Sequence, residues 1–179
     1  ADDGLEFYGG TVNAKNILIW NNGDDALDTD NGYSGTIDNF LLVGAQGSPM
    51  ELDGPEGSTT VITANHTLIN GTVVTSRGDG TSSEDLLNYD ANTNVSVENV
   101  NWKSIQTGQI INDNHVVNSV LVVSSLRVDV PVGAVFTDFI STTDPAINSE
   151  ITAATTNGAN TSVFAGWTWA ETSGALTGI

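Results

Sequence analysis

The sequence predicts an all-β parallel β-solenoid that ends in an irregular segment. Three observations lead to this prediction. A four-residue pattern of alternating apolar and polar positions recurs along the chain, an asparagine recurs in the stretches that follow it, and helical periodicity is almost absent. Short strands that repeat at intervals of roughly 20 to 50 residues are typical of solenoids.

The four-residue pattern defines the strands of one predicted sheet. Its copies are Leu5–Tyr8, Leu27–Asp30, Met50–Asp53 and Leu87–Asp90. Side chains alternate between the two faces of a strand, so the first and third residue of each copy should point into the core and the others outward. Stacking the copies as successive coils therefore predicts inward apolar columns and outward acidic columns.

Asparagines mark a predicted bend in the second β-rich stretch of each coil. They are Asn16, Asn39, Asn65 and Asn99, with Asn118 as a fifth candidate. Asparagine adopts the left-handed backbone conformation more readily than most residues, so a column of asparagines predicts a hydrogen-bonded ladder through the stack. An antiparallel β-sandwich is the alternative all-β fold. A sandwich, however, does not require the same motif to recur in register.

The repeat stops after Ser125, which predicts two regions. Residues 1–125 form the coils, and residues 126–179 form a C-terminal cap packed on the last coil. The tail combines aromatic and apolar residues without the repeat, as expected of a segment that covers the end of a solenoid. The first residues already match the middle of a repeat, so we expect a preceding domain or docking onto another unit.

The charge balance excludes several classes of partner. Four Lys and Arg against 22 Asp and Glu give a net charge of -18, and such a surface repels nucleic acid and anionic membranes. No apolar run approaches the roughly 20 residues of a membrane-spanning helix, so direct membrane insertion is not expected. Cysteine is absent, which removes disulfides and thiolate metal sites. Cations are the expected partners.

Two acidic segments resemble motifs of a known protein group. They are DDGLEFYGGTVNAKNILIW and GDDALDTDNGYSGTIDNF, and paired D-D-G-[IL]-E and G-D-D-[AS]-[IL]-D-x-D motifs of this kind occur in secreted or surface-attached bacterial proteins. The closing FAGWTWA is similar to their C-terminal ends. The resemblance implies a right-handed parallel β-helix of the pectate-lyase type and an extracellular or cell-surface location, but no established reaction.

The segment NGDDALDTD is also similar to the acidic segment of polygalacturonases. In those enzymes neighbouring aspartates hydrolyse the glycosidic bond. The Gly-His-Gly and Arg-x-Lys motifs that accompany the aspartates in that family do not occur in this sequence. The similarity therefore supports a carbohydrate-active β-helix only as an alternative.

The outward acidic columns are candidate cation sites. The predicted ligands are carboxylates on neighbouring coils and at the turns before the strands: Asp2, Asp3, Asp24, Asp25, Asp28, Asp30, Glu51 and Asp53. Parallel strands lie about 4.8 Å apart, and carboxylates at that spacing either raise a pKa or bind a cation. Ca²⁺ accepts about six to eight oxygen ligands in irregular geometry, so calcium is the predicted cofactor. A solvated acidic surface is the alternative interpretation.

Two functional hypotheses from different classes follow. The first is a non-enzymatic extracellular module, stabilised by calcium, with a structural, adhesive or assembly role at a cell surface and self-association through its β-helix ends. The second is a hydrolase or lyase that acts on a polysaccharide with Asp24, Asp25, Asp28 and Asp30. Glycosidases need two carboxylates about 5 to 9.5 Å apart. Neighbouring coils supply such separations in either case, so the spacing does not discriminate between the hypotheses.

Overall fold

The computed structural model describes residues 2–55, 64–113, 119–140 and 158–179. They form a right-handed parallel β-helix with two sheets, as predicted. The first sheet contains β1 (Leu5–Tyr8), β3 (Leu27–Asp30), β5 (Met50–Leu52), β7 (Leu87–Tyr89) and β9 (Ile111–Asp113). The second contains β2 (Ala14–Trp20), β4 (Thr36–Val43), β6 (Ala64–Val74), β8 (Thr93–Lys103), β10 (Val120–Ser124) and β11 (Arg127–Val128).

Helical structure in the described residues is confined to short segments near the C-terminus. Two 3₁₀ helices span Phe136–Phe139 and Thr161–Phe164, and the single-turn helix α1 spans Trp169–Thr172. No helix in the described part of the chain is long and apolar enough to cross a membrane.

The register of the first sheet confirms the alternating pattern. Leu5 pairs with Leu27, and Leu27 pairs with Met50. The third residues of the pattern form a second inward column, in which Leu52 pairs with Tyr89. These inward columns meet those of the second sheet in one core that runs along the stack, so the two-residue period of the sequence determines which side chains are buried.

The asparagine bends occur at Asn16, Asn39, Asn70 and Asn99, which all have φ between 52° and 62°. The prediction of Asn65 at a bend was therefore wrong. Asn65 lies near the start of β6 and pairs with Asn94, because the strand begins well before the bend. Asn118 lies outside the described residues, and Ser125, with φ of 52°, follows β10 at the equivalent position.

The asparagine ladder is interrupted in the middle. Asn39 Nδ2 donates to Asn16 Oδ1 over 2.8 Å, and Asn99 Nδ2 donates to Asn70 Oδ1 over 2.7 Å. The equivalent amide–amide bond from Asn70 to Asn39 does not form. Asn39 Oδ1 accepts instead from the backbone N–H of Asn160, which is 121 positions away. The C-terminal segment thus supplies one hydrogen-bond donor of the ladder.

The described parts of the C-terminal region occupy two different places. Phe139 is buried in the main core and Ile140 forms a parallel bridge with Ile111, so this segment covers the end of the stack. Residues 158–179 lie instead against the outer face of the second sheet, where Phe164 packs with Leu41 and Val74. The predicted division of the chain at residue 125 stays a prediction.

Candidate functional site

The outward face of the first sheet carries the predicted acidic column. Glu6 pairs with Asp28, and Asp28 pairs with Glu51. On the next coil an amide takes the place of the carboxylate, because Glu51 pairs with Asn88. The carboxylates of this column are therefore concentrated on the first three coils.

Two groups of carboxylates come close enough to share a cation. Atoms of Glu6, Asp28 and Asp30 lie within 4.8 Å of one another, and so do atoms of Asp2, Asp3 and Asp24. We call these the strand triad and the turn triad. Two oxygen ligands of one Ca²⁺ lie up to about 5 Å apart, twice the Ca–O distance, so both groups have the dimensions of a calcium site.

Three basic side chains of the described residues form salt bridges away from the two triads. Lys15 pairs with Asp38, Arg77 with Asp79 and Arg127 with Asp129. The charges that act on Asp28, in contrast, all come from other carboxylates: Asp30, Asp3, Glu6 and Asp25. Within the strand triad, the charges acting on Asp28 are therefore repulsive.

Asp25 has a structural role between the two triads. It is only 9% exposed, and its Oδ1 accepts the backbone N–H of Ser48 in the next coil. Asp3 repeats this contact one coil earlier, since its Oδ1 accepts the N–H of Asp25 over 3.3 Å. These carboxylates link the turns of successive coils.

Asp3 and Asp25 occupy equivalent turn positions in successive coils, and Ser48 and Asp85 occupy the same position in the next two coils. Sequence reasoning missed this continuation. Burial is the main cause that raises the pKa of Asp85 to about 6, and the nearby Ser48 side chain acts in the opposite direction. A signal was available, because GSPME and EDLLN align with DDGLE and DDALD once the strands are in register. The substitution of Gly-Ser for Asp-Asp hid the third copy.

Two half-buried carboxyls on this face hold their protons near neutral pH. Burial, followed by the charge of Asp30, raises the pKa of Asp28 from 3.8 to about 7. Burial also raises the pKa of Glu51 from 4.5 to about 8, assisted by a hydrogen bond with Asp25. The protein can therefore relieve the repulsion on this face either by protonation or by a bound cation.

In chelator, the free energy of unfolding is expected to rise as the pH falls from about 8 to about 6.5. The folded state then binds more protons than the unfolded state, because the pKa values of Asp28 and Glu51 are raised on folding. His66 opposes the trend below pH 6.5, since burial lowers its pKa from 6.5 to about 4. Urea denaturation across this range measures the effect, and a steady loss of stability from pH 8 to 6.5 would contradict it.

The aspartates of the alternative catalytic set do not form one group. Asp28 and Asp30 belong to the strand triad, Asp24 belongs to the turn triad, and Asp25 is buried in its contact with Ser48. Only Asp28 and Asp30 therefore face the same outer surface with carboxylate atoms close to each other.

A comparison with protein families agrees with this architecture. A family model described as a pectate-lyase-like β-helix domain matches residues 1–172, nearly the whole chain. The chain belongs to this family. No curated protein and no solved structure matches it. Membership in the pectate-lyase-like β-helix family agrees with the two-sheet coil and its inward columns.

Proposed function

We propose that this pectate-lyase-like β-helix domain is a non-enzymatic extracellular module with a structural or adhesive role at a cell surface. Calcium bound at the strand triad and the turn triad stabilises it. One observation carries the proposal: the charges acting on half-buried Asp28 are all carboxylates. A cation in the strand triad would remove this repulsion and would favour the ionised form of Asp28.

The residues present fit calcium. The strand triad and the turn triad offer oxygen ligands only, and carboxylate oxygens are what Ca²⁺ prefers. Glu51 and Asp53 follow on the next coil, where the N–H of Asp53 bonds to the carbonyl of Thr29. Glu51 is hydrogen-bonded to Asp25 and would have to release its proton before it could bind an ion.

Calcium added back after chelation is expected to raise the melting temperature of the protein at constant ionic strength. A site specific to the folded state contributes about 2.7 kcal/mol at a hundredfold excess of ion over its dissociation constant. Magnesium is the control, because it demands a more regular octahedral site. Equal shifts with both ions, or no shift, would contradict a calcium site.

Asp28→Asn separates an ion site from a solvated surface. In chelator the substitution removes a repelled, half-buried carboxyl, so it is expected to raise the melting temperature at pH 8. In calcium the same variant is expected to lose most of the calcium-dependent rise. Glu98→Gln is the matched control, since it removes one half-buried carboxylate from the second sheet. An unchanged calcium response of Asp28→Asn would place the ion elsewhere.

A carbohydrate-active enzyme is the second candidate function. The observation that favours it is a pKa of about 7 at Asp28 next to the carboxylate of Asp30, because glycosidases use one protonated and one ionised carboxyl. Incubation with a panel of neutral and calcium-bridged polysaccharides tests this function. Release of sugar that Asp28→Asn abolishes and Glu98→Gln retains would replace the non-enzymatic proposal.

Self-association through the N-terminal coil is part of the proposed assembly role. Within the described residues, β1 and β2 are the outermost strands of the two sheets, and the core side chains Leu5, Phe7 and Ile17 are only partly buried there. Outermost strands of this kind can pair with another chain. Sedimentation velocity over a wide concentration range measures such pairing, and a strictly monomeric particle would contradict it.

A further inference from the structure

A polar cavity lies on the side of the β-helix formed by the second sheet. It has a volume of about 370 Å³ and is bounded by the asparagine bends on one side and by Gly158, Asn160 and Val163 on the other. Small-molecule sites commonly range from about 300 to 1,000 Å³. We call this space the amide cavity, and its volume suits a ligand of one or two sugar rings.

Hydrogen bonds at the interruption of the ladder hold the side chains that line the amide cavity. Asn39 is held on both sides, since its Nδ2 donates to Asn16 and its Oδ1 accepts from the N–H of Asn160. Asn70 turns away from Asn39 and donates to Asp38 Oδ1 over 2.8 Å. These contacts fix the walls, as a preformed site requires.

The amides at the two ends of the ladder retain hydrogen-bonding capacity. Asn16 Oδ1 and Asn99 Nδ2 are used within the ladder. Among the described residues, Asn16 Nδ2 and Asn99 Oδ1 have no hydrogen-bond partner. The cavity therefore offers a donor at one end and an acceptor at the other, a combination that matches hydroxyl groups, which donate and accept.

The charges lining the amide cavity cancel. Lys15 Nζ lies 2.6 Å from Asp38 Oδ2, so the pair demands no counter-charge from a ligand. The net charge of -18 disfavours anionic ligands. Val163 adds an apolar side chain to the lining, which suits the C–H face of a sugar ring.

We propose that the amide cavity binds a neutral saccharide unit through the side-chain amides of the asparagine bends. The site lies on the second sheet and shares no residue with the strand triad or the turn triad. It would give an adhesive module a carbohydrate ligand. The proposal does not depend on calcium binding at the acidic face.

Titration of ¹⁵N-labelled protein with cellobiose, xylobiose and mannobiose tests the proposal. At least one disaccharide is expected to shift the side-chain amide signals of Asn16, Asn39, Asn70 and Asn99 saturably. Asn99→Gly removes one amide and keeps a residue that tolerates a φ of 52°, and it should weaken the binding about tenfold. Asn21→Gly is the matched control, because Asn21 is an exposed positive-φ asparagine outside the cavity.

Three results would overturn the proposal. They are the absence of saturable shifts with every neutral disaccharide, equal binding by Asn99→Gly and wild type, and binding of digalacturonate alone. The titration is repeated with chelator and with calcium, and the same saccharide affinity is expected in both. A failure here would leave the calcium response of Asp28→Asn unaffected, so the two proposals are tested separately.

Discussion

Phe40→Ala is expected to lower the free energy of unfolding by about 3 to 5 kcal/mol. Phe40 is fully buried in the main core, next to the asparagine bend of β4. Its ring occupies the space above Gly71 on the neighbouring strand, where a Cβ atom would lie only 2.1 Å from Phe40 Cζ. Urea denaturation measures the loss, and Val132→Ala, at a fully exposed position, is the control.

The pairing of Phe40 with Gly71 also predicts the result of a double-mutant cycle. Gly71→Ala alone is expected to cost about 1 to 3 kcal/mol, because the added methyl group overpacks the core. In the Phe40→Ala background the same methyl group enters a cavity, so its cost should largely disappear. Additive effects of the two substitutions would contradict this packing arrangement.

Phe164→Ala is expected to release residues 158–179 from the second sheet. Phe164 is fully buried among Leu41, Val43 and Val74, and its truncation costs about 3 to 5 kcal/mol where the structure cannot collapse around the cavity. The Asn160 and Ala159 amides, which donate to Asn39 Oδ1 and Thr72 Oγ1, should then lose protection from hydrogen exchange. Release should also abolish saccharide binding, because one wall of the amide cavity is lost.

Hydrogen exchange distinguishes local release from global unfolding in Phe164→Ala. The backbone amides of β4 and β8 should remain protected, since the main core is a separate cluster. Val135→Ala, at an exposed position, is the control and should leave all of these amides unchanged. Full protection of Asn160 in Phe164→Ala would show that the segment is held by other contacts.

The acidic face could be predicted from the sequence only in part. The alignment of Glu6, Asp28 and Glu51 in one outward column followed from the alternation within each four-residue pattern. The burial of Asp25 did not follow, because Asp24 and Asp25 are the same residue type in adjacent positions. Only the approach of the next turn, which brings the N–H of Ser48 to Asp25, makes their environments differ.

The sequence by itself determined the parallel β-helix, the inward columns and the acidic outward column of the first three coils. The physical reason is that strand side chains alternate with a period of two, so a repeated pattern defines both the buried face and the register. These features depend on residues close together in the chain and on their repetition in successive coils.

The tertiary structure decided the features that depend on loop length and on distant contacts. Asn70 rather than Asn65 forms the third bend, because β6 starts earlier relative to its bend than β4 does. The amide cavity exists because Asn160 bonds to Asn39 across 121 positions and replaces one step of the ladder. No local pattern encodes a contact of that separation, since it forms only when the C-terminal segment packs on the completed second sheet.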